Sequence, residues 1–198
     1  MIGEQTLHHL RNNGVVAYPT STLPGLACMP TAEGLDALFA LKNRPRDKPV
    51  SLGVLSLEQA STLVHVDAEI RELEASFPKG GLTFILPAQT PQDERLGGSF
   101  VAVRCLANPI ARELVAAVGP ITATSANESG DEPRLTSQDA GAELGLMPYA
   151  ILEGNCPGGL GSTIIKVTDG GDAGRVVTVM REGIVPRHEV VEWWKNRN

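Results

Sequence analysis

Apolar residues in this chain come as short runs, Val15-Val16-Ala17-Tyr18 and residues 50–55, 82–86, 100–104 and 121–124, each separated from the next by a segment with helical spacing except for 82–86 and 100–104. Runs of this length bounded by proline or glycine read as buried strands, and strands that alternate with helices fold as an α/β layer structure. The helices are equally legible. Residues 4–13 carry Leu7 and Leu10 one turn apart and stop at Gly14. From Thr31 a second helix turns Leu35, Leu38, Phe39 and Leu41 to the core and must end before Pro45, which disfavours α geometry at Arg44. Ser56-Leu57-Glu58-Gln59 has the form of a capping box, an amphipathic piece follows Asp67, and Asn108-Pro109 caps a helix through Val118. A further helix is predicted near 138–144, short strands near 149–152, 163–167 and 175–180, and a tail at 190–197 in which Trp193 and Trp194 act as core anchors. At 198 residues and 42% hydrophobic, with no repeat or low-complexity linker, residues 1–198 form one domain, with its core at about 14–186 and a tail at 187–198.

Charge and composition exclude several functions. A net charge of -6 argues against a surface built to neutralise a phosphate backbone, and 4% aromatics supply too few rings for a base-stacking platform. Cys28, Cys105 and Cys156 cannot all pair and make no Cys-x-x-Cys, so they are expected as reduced thiols. No apolar stretch approaches the roughly 18 residues of a membrane span, and residues 1–5 lack the start of a secretory signal, so a cytoplasmic protein with no membrane attachment is expected. His8, His9, His65 and His188 have no ligand spacing, and no metal site is expected. Phosphate-loop, dinucleotide-fold and nucleophile-elbow motifs are missing. Glu58, Glu69, Glu72 and Glu74 fall on solvent-facing helical positions.

The candidate chemistry lies on strand and helix ends. Lys42-Asn43-Arg44-Pro45-Arg46-Asp47-Lys48 puts four cations on a proline-stiffened loop between a helix and a strand, where Arg44 can fork two phosphate oxygens and Lys42 and Lys48 act as point charges. Thr124-Ser125-Ala126-Asn127 and Pro19-Thr20-Ser21-Thr22-Leu23-Pro24-Gly25 follow predicted strands with small polar residues. Arg104 and Arg181 end apolar strands and need partners. Residues 154–161 hold four glycines that let backbone N–H groups approach an anion. Residue types alone define an anion site of unnamed purpose, beside the plainer readings of a solvated helix end, an Asx turn and a structural ion pair.

In order along the chain, Pro-Thr-x-Thr from Pro19, Lys-x-Arg-Pro-x-x-Lys-Pro from Lys42, Leu-Thr-Phe-Ile-Leu from Leu82, Val103-Arg104, Ser-Ala-Asn-x-Ser-Gly from Ser125, Gly-Ser-Thr-Ile-Ile from Gly161 and Met-Arg-Glu-Gly from Met180 resemble the YrdC-like family over residues 14–186. The resemblance implies a twisted mixed sheet with flanking helices enclosing a basic cavity. It also implies an L-threonylcarbamoyladenylate synthase, a nucleotidyltransferase that joins L-threonine, bicarbonate and ATP for the modification of adenosine in tRNA. Carried over by position, Lys42, Arg44, Ser125 and Asn127 are the signature catalytic residues. Arg44, Lys48, Ser125, Asn127 and Arg181 are assigned to ATP, and Thr22, Arg104 and Ser162 to threonine. Mg2+ is expected with the triphosphate, and the short form implies partner proteins for transfer to tRNA. Ser21 stands where the family has an acid, Pro24 where it has an aromatic, and Pro78-Lys79-Gly80-Gly81 where it has Pro-Gly-Pro, which bears on amino-acid selectivity. A tRNA-binding module without synthesis and a paralogous carbamoyl-transfer enzyme are the alternatives.

Overall fold

The computed structural model describes residues 1–169 and 175–197. In chain order its elements are α1 (Glu4–Arg11), β1 (Val16–Tyr18), β2 (Gly25–Ala27), α2 (Ala32–Leu41), β3 (Ser51–Val54), α3 (Leu57–Ala60), α4 (Ala68–Ala75), β4 (Leu82–Pro87), β5 (Phe100–Cys105), α5 (Pro109–Val118), β6 (Ile121–Ser125), α6 (Ser137–Glu143), β7 (Thr163–Asp169), β8 (Arg175–Arg181) and α7 (Arg187–Asn196). Among the described residues the eight strands form one sheet, ordered β1-β2-β6-β3-β5-β4-β7-β8. The pairs β3–β5 and β4–β7 are parallel and the others antiparallel, so the architecture is a mixed α/β sheet in one domain.

Helix starts follow their caps. Thr31, Ser56, Asp67 and Thr136 each accept a bond from the amide three residues on, and the Asn108 side chain does the same for Ile110 ahead of Pro109. Side chains alternate across the sheet. Ala17, Phe84, Val103 and Ile165 point into the larger apolar cluster with Leu35, Leu38, Ile70 and Leu73. Tyr18, Thr83, Arg104 and Ile164 therefore share the opposite face, beside the smaller cluster of Leu7, Leu10, Leu114 and Ile121.

Two expectations are corrected. Residues 148–150 form a 3-10 turn opened by Pro148, and only Ile151 bridges Ala17 where a strand is predicted over 149–152. β2 is not foreseen, because residues 19–26 read as a loop after the first strand. Its ladder to β1 and β6 brings Gly25 opposite Ser125, and a Cβ on Gly25 would come within 2.8 Å of the Tyr18 ring, so this rung requires glycine.

The tail docks on the core. Trp194 is buried and donates to the Arg175 carbonyl at 3.1 Å, while Trp193 donates to Ser76 Oγ at 2.9 Å. Glu69, read as solvent-facing, instead joins Arg175 at 2.7 Å and Arg197 at 3.1 Å, tying α4 to β8 and the chain end. A second network centres on the buried Arg95, which donates to Asp93 at 2.7 Å and Asp36 at 2.6 Å. The hydrogen bond from Arg95 holds the Asp93 carboxyl down at about 2, against an ordinary 3.8. Its folded pKa lies below its unfolded one, so this contribution is complete above pH 3.8 and lost as pH falls through 2. Asp93 is partly solvated, which screens the pair to about 1 kcal/mol. Urea unfolding of the wild type and of Arg95→Met should accordingly converge by about that amount between pH 5 and pH 2; a gap independent of pH would show that Arg95 contributes by packing alone.

Candidate active site

The face of the sheet that carries Tyr18, Thr83, Arg104 and Ile164 floors a cavity of about 360 Å³, walled by the β1–β2 loop, the end of β6, residues 159–162 and the end of β8. Arg44, Arg104 and Arg181 stand on its wall with Thr22, Ser125 and Ser162, and Glu182 is the wall's one carboxylate among the described residues.

Arg44 reaches the wall because α2 stops abruptly. Asn43 takes the left-handed region at φ 47, and the Arg44 amide turns back onto the Phe39 carbonyl at 3.0 Å. The guanidinium is then fixed by its own loop, with Nε donating to the Lys48 carbonyl at 2.7 Å and Nη2 to that of Pro49 at 2.9 Å. Burial lowers its pKa, and the like charge of Arg181 lowers it further.

Arg104, in β5, is 9% exposed, with Nε donating to the Gly80 carbonyl at 2.9 Å and Nη2 to Thr22 Oγ1 at 2.9 Å and Ser21 Oγ at 3.3 Å. Among the described residues no carboxylate lies within ion-pair distance of it. Burial lowers its pKa, and Arg181 adds to the fall. The loop bearing Thr22 is closed on itself, since the Thr22 amide and the Leu23 carbonyl both bond Thr20 Oγ1, at 3.0 and 2.7 Å. The Gly158 amide donates to the Thr22 carbonyl at 2.9 Å, so the glycine-rich segment latches this loop. Ser162 and Thr83 share a hydrogen bond of 2.7 Å, and Arg181 Nη2 donates to the Ser162 carbonyl at 3.2 Å.

Three of the residues picked from the sequence are not on the wall. Lys42 is 1% exposed and lies behind it, with Nζ donating to the carbonyls of Ser125 and Asn127, both at 2.5 Å. Burial brings its pKa down to about 8, with Arg44 as the next cause. The Asn127 side chain turns away, its Nδ2 donating to the Glu128 and Asp131 carbonyls at 2.7 and 2.8 Å in a closed turn of its own, while its Oδ1 is buried with no partner among the described residues. Lys48 is exposed and contributes its backbone carbonyl to Arg44. Conversely, Tyr18, Thr83 and Glu182 line the cavity without having been singled out. Thr83 carried a signal, as the one hydroxyl in the run Leu82-Thr83-Phe84-Ile85-Leu86.

A wider, more open hollow of about 560 Å³ lies beside Pro133, Leu135 and Ala142. The one cation on its wall among the described residues, exposed Arg134, already forks Glu143 at 2.7 and 2.8 Å, whereas the smaller cavity gathers three guanidiniums. The cysteines offer no nucleophile there. Burial pushes the Cys28 thiol up to about 11, that of Cys105 up to about 12 and that of Cys156 upward, so all three are protonated near neutrality.

Comparison with known proteins converges. The Sua5/YciO/YrdC family model, described as telomere recombination, matches residues 8–183. A threonylcarbamoyl-AMP synthase of Vibrio cholerae is 35% identical over 188 residues, covering 91% of this chain and 96% of its own. The crystal structure of P. abyssi Sua5 complexed with L-threonine superposes with a TM-score of 0.80 at 28% identity over 94% of this chain, which spans only 55% of that longer protein. E. coli YciO gives a TM-score of 0.72 at 25% identity, covering 92% of this chain and 89% of its own.

Proposed function

The chain belongs to the Sua5/YciO/YrdC family, and from that membership we infer that it is an L-threonylcarbamoyladenylate synthase, a nucleotidyltransferase that makes threonylcarbamoyl-AMP and pyrophosphate from L-threonine, bicarbonate and ATP. The observation that carries this reading is the meeting of three guanidiniums and several hydroxyls on one cavity that, among the described residues, holds a single carboxylate. Such a wall suits a reaction whose participants are anions.

The neutral amine of threonine adds to carbon dioxide from bicarbonate and loses a proton, giving a carbamate. A carbamate oxygen then attacks the α-phosphorus of ATP, the bond from that phosphorus to the bridging oxygen breaks, and pyrophosphate leaves with the electron pair. A carboxylate, a carbamate and a triphosphate must be held together against mutual repulsion, and fixed cations do this without reorganising. Arg44, braced on two carbonyls, and Arg181 are assigned to the phosphates, with Lys48 reaching the outer ones from its exposed loop. Ser125 orients nucleotide or carbamate oxygens. Arg104, bonded to Thr22 and with Ser162 on the same wall, receives the carboxylate of threonine. Magnesium enters as part of the MgATP substrate, its ligands drawn from phosphate and water. The setting we assign is the cytoplasm, with partner proteins completing transfer to tRNA; among the described residues no helix is long and apolar enough to cross a membrane.

Purified protein given ATP, threonine, bicarbonate and magnesium should release pyrophosphate only when all four are present, with a product carrying both adenylate and threonine by mass spectrometry. Threonine-independent release overturns the assignment in favour of another carbamoyl transfer, and no release together with tRNA binding overturns it in favour of a binding module.

A further inference from the structure

We propose that Lys42 serves the reaction as a positioning residue, its ammonium pinning the backbone of the Ser125–Asn127 edge from behind the cavity wall. Two contacts join this one residue to that edge and a third joins it to the turn just beyond. Its Nζ donates to the carbonyls of Ser125 and Asn127, each at 2.5 Å, and its own carbonyl accepts from the Ser129 amide at 3.0 Å. With 1% of its surface exposed and no place on the wall, its charge is spent on these two carbonyls.

The place it holds is where the sheet gives out. Ser125 and Gly25 form the last rung between β6 and β2, and Ala126 is tied by a single backbone bond to the Pro24 carbonyl at 2.8 Å. Past that rung the chain must turn while keeping Ser125 on the cavity. An ammonium that bonds two carbonyls two residues apart fixes that turn, because each is a charge-assisted bond in a water-poor setting. The left-handed Asn43 separates two jobs along three residues: Lys42 goes behind the wall and Arg44 onto it. Spacing of cation, turn and cation thus couples the nucleotide-facing arginine to the serine edge through one helix end. Asn127 is bound into the same device by its backbone carbonyl, and its side chain closes the following turn.

The inference rests on the cavity as the adenylate-forming site, but its first test needs no substrate. In Lys42→Met, which keeps the buried stem and removes the donor, the amides of Ala126 and Ser129 should exchange hydrogen at least about tenfold faster than in the wild type, with β5 amides unchanged. Dissociation of a non-hydrolysable ATP analogue should stay within about threefold while kcat for pyrophosphate release falls about thirtyfold. Lys42→Gln, which restores an uncharged donor, should recover at least about fivefold of that loss and carries the same exchange test where the methionine variant does not fold. Unchanged exchange at Ala126 and Ser129 with analogue affinity weakened tenfold or more would overturn the proposal and make Lys42 a ligand of the nucleotide. Should threonine prove unnecessary for turnover, the exchange result still decides the role of Lys42.

Discussion

Arg104→Met should lower kcat/KM for threonine at least a hundredfold while leaving the protein as stable as the wild type or more so. The two halves have one cause. Among the described residues Arg104 is a buried cation whose hydrogen bonds go only to neutral oxygens, those of Gly80, Thr22 and Ser21, and Ser21 stands where the resemblance to the YrdC-like family leads one to expect an acid. Burial without a counter-ion already disfavours the charged form. A buried charge of this kind costs stability in the empty protein, and replacing it with an apolar side chain of similar length is commonly neutral or stabilising. The substrate carboxylate we assign to it supplies the missing charge, and losing one member of such a pair costs about 3 kcal/mol, which is roughly a hundredfold. Steady-state kinetics with threonine varied at saturating ATP, beside urea unfolding of the same variant, measures both. A kcat/KM within threefold of the wild type would remove Arg104 from the threonine site, and a large loss of stability would make it a structural cation.

How far the sequence discloses this arrangement depends on the physical signal at each place. Helix starts were plain because a cap needs one residue type at one position, as at Thr31, Asp67 and Asn108. Central strands were plain because both their faces are covered, leaving continuous apolar runs such as residues 82–86. β2 stayed hidden because it is three residues long and starts at a glycine, and what makes it a strand is pairing with β1 and β6, far apart in sequence. Residues 149–152 read as a short strand from their composition, yet only Ile151 makes a bridge there, since nothing local counts partners.

The site divides in the same way. Residue types that demand a special environment, cations at a helix end or ending an apolar strand and hydroxyls after a strand, pointed to Arg44, Arg104, Arg181, Ser125 and Thr22, and the family resemblance added Ser162; all six line one cavity. The sequence does not tell which way a side chain faces at a helix end. Lys42 and Arg44 are two residues apart, and the left-handed turn at Asn43 sends one behind the wall and the other onto it. The plain reading of an Asx-like turn describes the Asn127 side chain well. Thr83 shows the converse case: a lone hydroxyl in an apolar strand was its one signal, and its partner Ser162, 79 positions away and within 2.7 Å, was not legible locally.

Thr163 opens β7 next to Ser162 and ties it to the turn beyond Arg181 at the end of β8, and its replacement by valine should cost about 3 kcal/mol of stability. Its hydroxyl donates to the Val185 carbonyl at 2.6 Å and accepts from the amides of Gly183 and Val185 at 2.9 and 3.2 Å, in a place with no exposed surface. Valine has the same shape, so no cavity opens and the loss falls on two amides and a carbonyl left short of partners out of reach of water. The turn has little room to find new ones. A Cβ on Gly183 would lie 2.2 Å from the Gly161 carbonyl oxygen, so backbone already presses on backbone there. Urea unfolding should show a lower midpoint at unchanged slope, and the melting temperature should drop by about 6–12 °C for a chain of this size. Thr163→Ser, which keeps the hydroxyl and gives up a methyl, should cost only about 1 kcal/mol. Because Ser162 and Arg181 flank this junction, the valine variant should also lose turnover at temperatures where it is still folded, with the serine variant close to the wild type. A valine variant within 1 kcal/mol of the wild type would mean that the turn is held by its apolar contacts and that the hydroxyl is incidental.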